Sequence, residues 1–561
     1  MSAEGQAGNC GVCGQPATLK CSGCKEQYYC SKEHQKSDWK RHKETCRPFK
    51  VCSSSELGRH VVAKRRIEQG EEILVESPIV FGPPYGRTPG PMCLSCGTPL
   101  PLMAVTSIAT VRCQHCLWPS CGEDACMEGK KTAHTVECAI LRLSRQRVIE
   151  ALTGGQVTEE LVQVAYESVT PLRCLLLQRI KPEHWRNLMS MEAHQGQPHS
   201  EDAPRVVRFL REILNLSKMD GTLMDEGKTG DVRRWDFSEA AINRVCAVLD
   251  VNALDIRLPG PSDGIALYAN TCLLEHSCMP NTRHKFDDKL RIHLSSTRAI
   301  LPGQHLHTMY THILWGTQQR RDHLKVTKYF DCTCERCSDP TEMGTYISGL
   351  RCLACEKGYL LPDQPLEGVL AEWKCNNCAV SGEGIGVLGG EEVRSLVLGL
   401  GAEVEKTLEA RPPSASSLED LLSKLETLLH PHHSHCLAVK HSLLQILGKT
   451  GKMEEQQRKE AMCRDILGVY RALDPTLSRL GVYAAVAKYE LHSVLVDVWR
   501  KKWEDGNSDD EARSKIVEAR KCLQNAINLL SEENENLPEG RLLDVAKSSL
   551  EDLNRWAKLD E

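Results

Sequence analysis

Eight cysteines and histidines crowd the start of this chain in the order C-x2-C-x7-C-x2-C-x5-C-x3-H-x7-H-x3-C. They are Cys10, Cys13, Cys21, Cys24, Cys30, His34, His42 and Cys46. Thiolate and imidazole ligands at knuckle spacing fit two tetrahedral zinc ions, and so small a segment folds around metal rather than around an apolar core. A related set follows: Cys93, Cys96, Cys113, Cys116, Cys121, Cys126, His134 and Cys138. Its ending, C-x4-C-x7-H-x3-C, nearly repeats that of the first.

Two further groups lie downstream. One is Cys332, Cys334 and Cys337 in CTCERC; the other is Cys352, Cys355, Cys375 and Cys378, spaced like a zinc ribbon. The 28 cysteines fall short of the density of a disulfide-stapled secreted scaffold. The opening MSAEGQAGNC lacks a charged-then-apolar secretion pattern. Thiolate–metal chemistry in a reducing compartment, nucleus and cytoplasm, is therefore expected. No 18-residue apolar run predicts a membrane span. A net charge of -5 gives no global argument for nucleic acid.

A chain of 561 residues needs several cores. Val61-Val62 and Ile73-Leu74-Val75, separated by Gln69-Gly70, predict two short strands. Ile140, Leu141, Leu143, Val148, Ile149 and Leu152 recur at helical spacing, and 139–250 reads as mainly helical, with loops at 194–204 and 218–231. Short β-rich runs return between 251 and 331: IALYAN, RIHLSS and HLHTMY. Beyond 391 helices are expected, with an apolar stripe from Leu418 to Leu429 and breaks at 448–452 and 504–511. Asp474-Pro475 reads as a helix N-cap followed by proline at the first helical position. The cluster from His430 to His435 reads as a polar inter-helix turn. Cys52, Cys174, Cys246, Cys272, Cys436, Cys463 and Cys522, outside the ligand sets, read as buried small apolar groups.

The stretch 270–281, NTCLLEHSCMPN, with Thr308-Met309-Tyr310 and CTCERC, resembles the SET-domain lysine methyltransferases. With the inserted finger, the helical stretch and the helical end, the chain is similar to the SET and MYND domain family, and in its extra finger and ribbon to the arthropod SmydA branch. The resemblance implies an α+β fold: a β-rich split SET domain with MYND-type zinc fingers, a helical insert, post-SET zinc sites and an all-helical carboxyl domain like tetratricopeptide repeats. The expected spans are a finger at 1–50, SET at 51–92, a second finger at 93–138, a helical insert at 139–250, the SET core at 251–331, post-SET zinc site and ribbon at 332–390, and helices at 391–561.

It also implies an S-adenosylmethionine-dependent protein-lysine methyltransferase acting on a histone or another protein. The alternative is a weakly active or inactive scaffold or corepressor whose fingers recruit partners, proline-containing peptides among them. Carried over by motif, Gly58, Arg59, Asn252, Glu275, His276, Tyr310 and Phe330 would contact the cofactor, with Tyr310 and Tyr329 as active-site tyrosines. Cys278 would join Cys332, Cys334 and Cys337 on one zinc, for about six zincs in all. Four positions depart from the pattern. His60 replaces a glycine, Glu275 an asparagine, and Gly303-Gln304-His305-Leu306 stands for Gly-Glu-Glu/Gln-Leu. Lys328 sits where relatives carry a second tyrosine, with Tyr329 one step later. A one-residue shift along extended chain reverses the side chain's face, so local geometry decides whether Tyr329 serves.

Overall fold

The computed structural model describes residues 8–21, 27–42, 46–87, 89–107, 111–127, 133–154, 158–194, 202–222, 234–258, 262–355, 357–378, 386–410, 414–448, 452–504, 510–531 and 538–557. The chain divides into two compact units. The first comprises 1–275, 284–306 and 327–329; the second comprises 276–283, 307–326 and 330–561.

In the first unit, the amino-terminal finger is two small antiparallel pairs, Gly8–Asn9 with Pro16–Ala17 and Leu19–Lys20 with Tyr28–Tyr29, followed by the helix Lys32–His42. The Tyr29 hydroxyl, fully buried, donates to Asp38 Oδ2 at 2.8 Å and ties the second pair to the helix. Next comes an antiparallel hairpin, Phe49–Ser54 with Gly58–Ala63, pairing Cys52 with His60 and Ser54 with Gly58. Phe49, Val61 and Ala63 point to a small core shared with Ile67, Ile73, Leu294, Ile300 and Leu306. The predicted strands are present as Gly58–Ala63 and Glu72–Glu76, and Gly70 makes the turn between them at φ +79°. Glu72–Glu76 pairs with Ile292–Ser296, and Asp263–Leu267 lies between Val80–Gly82 and Leu254–Arg257.

The insert is helical, as its periodicity predicts. Thr158 and Ser238 accept backbone N–H bonds at the starts of Glu159–Glu167 and Glu239–Asn252. At its centre runs Val169–Ile180, buried from Val169 to Gln178. Arg173 on that helix is buried and bonds Phe81 O, Leu94 O and the Glu137 carboxylate, joining strand, finger and insert. The loop expected at 218–231 falls partly outside the described residues, as does that at 194–204.

In the second unit, a four-stranded antiparallel ribbon runs in the order Leu350–Arg351, Tyr359–Pro362, Glu372–Cys375, Val387–Gly389. Helices follow from Gly390 onward: Gly390–Glu409, Ala415–Leu428, Ser434–Leu443, Met453–Leu473, Gly481–Glu504, Asp510–Leu530 and Pro538–Ala557. Leu418, Leu421, Leu422 and Leu425 form the predicted stripe and are buried with Ile466, Leu473, Leu495 and Leu523. Among the described residues no helix is long and apolar enough to cross a membrane.

Four readings need amendment. Asp474 does not open a helix; it ends Met453–Leu473, and the next helix starts at Gly481. Its carboxylate accepts from the N–H groups of Arg479 and Leu480 at 2.7 and 3.0 Å, so the capping chemistry is there but reaches across a turn. Thr317–Lys328, inside the stretch read as β-rich, is a helix. Cys52 and Cys272 are partly exposed, unlike the other five cysteines outside the ligand sets. The histidine cluster from 430 to 435 is the inter-helix turn expected, but it is not a solvated one. His430 and His433 are buried, and burial pushes the His430 imidazole down to about 4 and that of His433 well below its ordinary value.

Candidate functional site

The metal-type residues gather as their chemistry demands. Cys10, Cys13, Cys30 and His34 form one set; Cys93, Cys96, Cys121 and Cys126 a second; Cys113, Cys116, His134 and Cys138 a third. Cys278, Cys332, Cys334 and Cys337 form a fourth, and Cys352, Cys355, Cys375 and Cys378 a fifth. Facing Sγ atoms lie 3.6 Å apart for Cys13 and Cys30, 3.7 Å for Cys96 and Cys121, 3.8 Å for Cys113 and Cys138, and 3.5 Å for Cys278 and Cys337. Thiolates about 2.3 Å from a tetrahedral zinc stand at such separations, so the sets fit zinc. In the first finger Cys21 and Cys46 lie 3.4 Å apart, while Cys24 lies outside the described residues. The second finger is cross-braced: its first and third ligand pairs lie together, and so do its second and fourth.

The residues expected at the cofactor divide between the two units. In the second unit, the segments 276–281 and 307–310 meet. The N–H of Ser277 donates to Thr308 O at 2.9 Å, and that of His307 to Asn281 Oδ1 at 2.8 Å. His276 Nδ1 accepts the N–H of Tyr310 at 3.0 Å, and its Nε2 lies 3.2 Å from Cys278 Sγ. Burial holds this imidazole down at about 3, hence neutral, as an accepting Nδ1 requires. The Tyr310 and Phe330 rings lie 5.3 and 5.9 Å from that of His276. Behind the four cysteines Arg320, fully buried, donates from Nε to Cys278 Sγ at 3.1 Å and from Nη1 to Glu342 at 2.8 Å.

In the first unit, Gly58 stands at the end of its hairpin with φ +62°, and a side chain there would meet nothing within 4 Å. Three expected residues converge on one loop that the sequence did not single out, Ser190–His194. The Arg59 Nη2 donates to Ser190 O at 2.7 Å, the Asn252 amide to Glu192 O at 2.8 Å, and the Tyr329 ring lies 5.0 Å from that of His194. The local signal was weak, since SMEAH carries neither glycine nor a metal-type pair. Tyr329 has φ +59°, the left-handed turn that commonly ends a helix, and this carries it to His194. Lys328 instead points inward, donating to Val251 O at 2.6 Å, and burial lowers it to about 8. Glu275 does not lie open either: its Oε2 is 2.5 Å from His305 Nδ1.

A family model for the MYND finger matches residues 10–46. The SET domain-containing protein SmydA-8, isoform A, of Drosophila melanogaster is 29% identical over 338 residues, covering 58% of this chain and 64% of its own. The chain is similar to SET and MYND domain proteins of the SmydA branch. The match spans less than two thirds of that SmydA relative's length. Other proteins resemble it over shorter stretches. Human N-lysine methyltransferase SMYD2 is 31% identical over 75 residues, 13% of this chain and 17% of that protein. The Arabidopsis thaliana histone-lysine N-methyltransferase ASHR1 is 26% identical over 231 residues, 38% of this chain and 44% of that protein. Among solved structures, the SET domain of LSMT bound to lysine and AdoHcy aligns over 93% of this chain and 92% of that one at 11% identity and a TM-score of 0.23.

Proposed function

We propose that this protein is an S-adenosylmethionine-dependent protein-lysine methyltransferase. The observation that supports it is the junction of 276–281 with 307–310, where His276, Tyr310 and Phe330 gather beside the four-cysteine set. A metal clamp of this kind fixes two sequence-distant segments without needing a large core around them. The bound cofactor would supply an electrophilic methyl group. Tyr310 offers an aromatic wall, and a lysine buried against such a wall would lose its preference for the charged form, which is what a nucleophilic amine requires. Phe330 stands at a position the resemblance assigns to the cofactor. The Tyr310 hydroxyl would orient that amine. Gly58, Arg59 and Asn252 stand at positions that the family resemblance assigns to donor contact.

A protein substrate is thereby implied. A second reading, recruitment of peptide partners by the fingers, draws support from Trp39, which stays 48% exposed on the helix of the first finger. Calorimetry with S-adenosylmethionine on zinc-replete protein, followed by methyl labelling of a protein array, separates the two. Micromolar donor binding with labelling that Tyr310→Phe abolishes supports the enzyme. Absent donor binding with intact zinc content leaves the recruiting scaffold.

A further inference from the structure

Three departures from the methyltransferase pattern, far apart in sequence, touch one another. His60 and His305 stack with ring centroids 4.8 Å apart and planes within 2° of parallel. Val62 forms an antiparallel bridge with His305, and strand residues two apart share a face, so His60 and His305 are diagonal neighbours on the same side of the strands. Glu275 Oε2 lies 2.5 Å from His305 Nδ1. At the other end, His60 Nδ1 lies 3.1 Å from the carbonyl oxygen of Gly58, which it reaches as a donor. His60 is 6% exposed, whereas the space beside Gly58 is open.

Each contact constrains the next. The Glu275 carboxylate accepts the Nδ1 proton of His305 and so fixes that ring's tautomer and plane. The His305 face then gives His60 a stacking partner, and the bond to Gly58 O holds the His60 ring against the hairpin end. A histidine alone at position 60 could swing between rotamers. Held at both ends, it stays put.

We infer that Glu275, His305 and His60 form one positioning chain that sets the room beside the Gly58 hairpin, and with it the affinity for the methyl donor. This rests on the methyltransferase reading. His305 and Glu275 act through His60, so their effects on donor binding are coupled rather than additive.

The test is calorimetry with S-adenosylmethionine on the full chain and a set of variants, each first matched to wild type in zinc content and circular dichroism. His60→Gly should tighten binding by roughly tenfold, the scale set by relieving a crowded side chain. His305→Ala should tighten it in the parent and change it little once position 60 is glycine. Glu275→Gln keeps an oxygen to accept the His305 proton and should shift binding less than Glu275→Ala, which should mimic His305→Ala. If any variant fails the folding match, His60→Ala and His305→Gln replace it. Equal effects of His305→Ala with and without His60, or identical behaviour of both Glu275 variants, overturn the chain while leaving the enzyme reading intact. Absent binding in both the parent and His60→Gly overturns that reading, and the inference falls with it.

Discussion

His134 gives its Nδ1 side to the Glu137 carboxylate at 2.9 Å while its Nε2 lies 3.1 Å from Cys116 Sγ. Nε2 is therefore the ligand atom, and Glu137 orients the ring from behind, the usual partnership of a metal-binding histidine. Arg173 completes the arrangement by binding both oxygens of Glu137 at 2.7 and 2.8 Å. Glu137→Ala should weaken zinc at this set by roughly 10–100-fold, measured by competition with a chromogenic chelator. Unchanged release kinetics would assign Glu137 to packing alone.

Arg173 and Glu137 are both buried, so removing one partner strands the other's charge. Arg173→Met should cost about 3–5 kcal/mol in denaturant unfolding of the first unit. A double variant that also carries Glu137→Met should recover much of that loss. Failure to recover would mean that the bonds to Phe81 O and Leu94 O matter more than the ion pair.

Metal analysis should return about six zincs per chain, one for each four-ligand set. Cys334→Ser should lose one of them and loosen the junction of 276–281 with 307–310. Protection of the Tyr310 amide, read by hydrogen exchange, should fall with it. An unchanged zinc count would remove Cys334 from the ligand set.

Lys328 carries a pH signature. Burial brings its amine down to about 8 in the folded protein, below the ordinary value near 10.5. Between those values the unfolded chain binds more protons, so stability rises with pH across that window. Each tenfold displacement in acidity corresponds to about 1.4 kcal/mol. Denaturant midpoints at pH 7.5 and pH 10 should thus diverge in wild type more than in Lys328→Met. Parallel midpoints would mean the amine is solvated.

Asp474→Ala removes an acceptor for two backbone N–H groups ahead of Gly481–Glu504. A loss of about 1–2 kcal/mol is expected, as for other caps, with Asp474→Asn retaining part of it. Thermal unfolding of the two variants decides this.

Much of the α+β layout was legible because hydrophobic period and knuckle spacing are local quantities. The pairs Cys352/Cys355 and Cys375/Cys378 announced a ribbon, and the Leu418–Leu425 stripe announced a helix, because each involves neighbours along the chain. Asp474 misled for the converse reason: aspartate before proline is a local signal, yet its carboxylate serves N–H groups five and six residues on. Where Tyr329 points was left open by the sequence because a single left-handed residue after a helix redirects a side chain, and composition does not announce it.

The chain's own order of residues determined which side chains would bind metal, where strand and helix would alternate, and which family motifs it carries. Only the folded structure decided how ligand pairs cross between ions, that Ser190–His194 gathers Arg59, Asn252 and Tyr329, and that Glu275 faces His305. Spacing constrains atoms a few bonds apart. Contacts between residues separated by tens or hundreds of positions depend on how strands and helices pack, which the linear pattern does not encode locally.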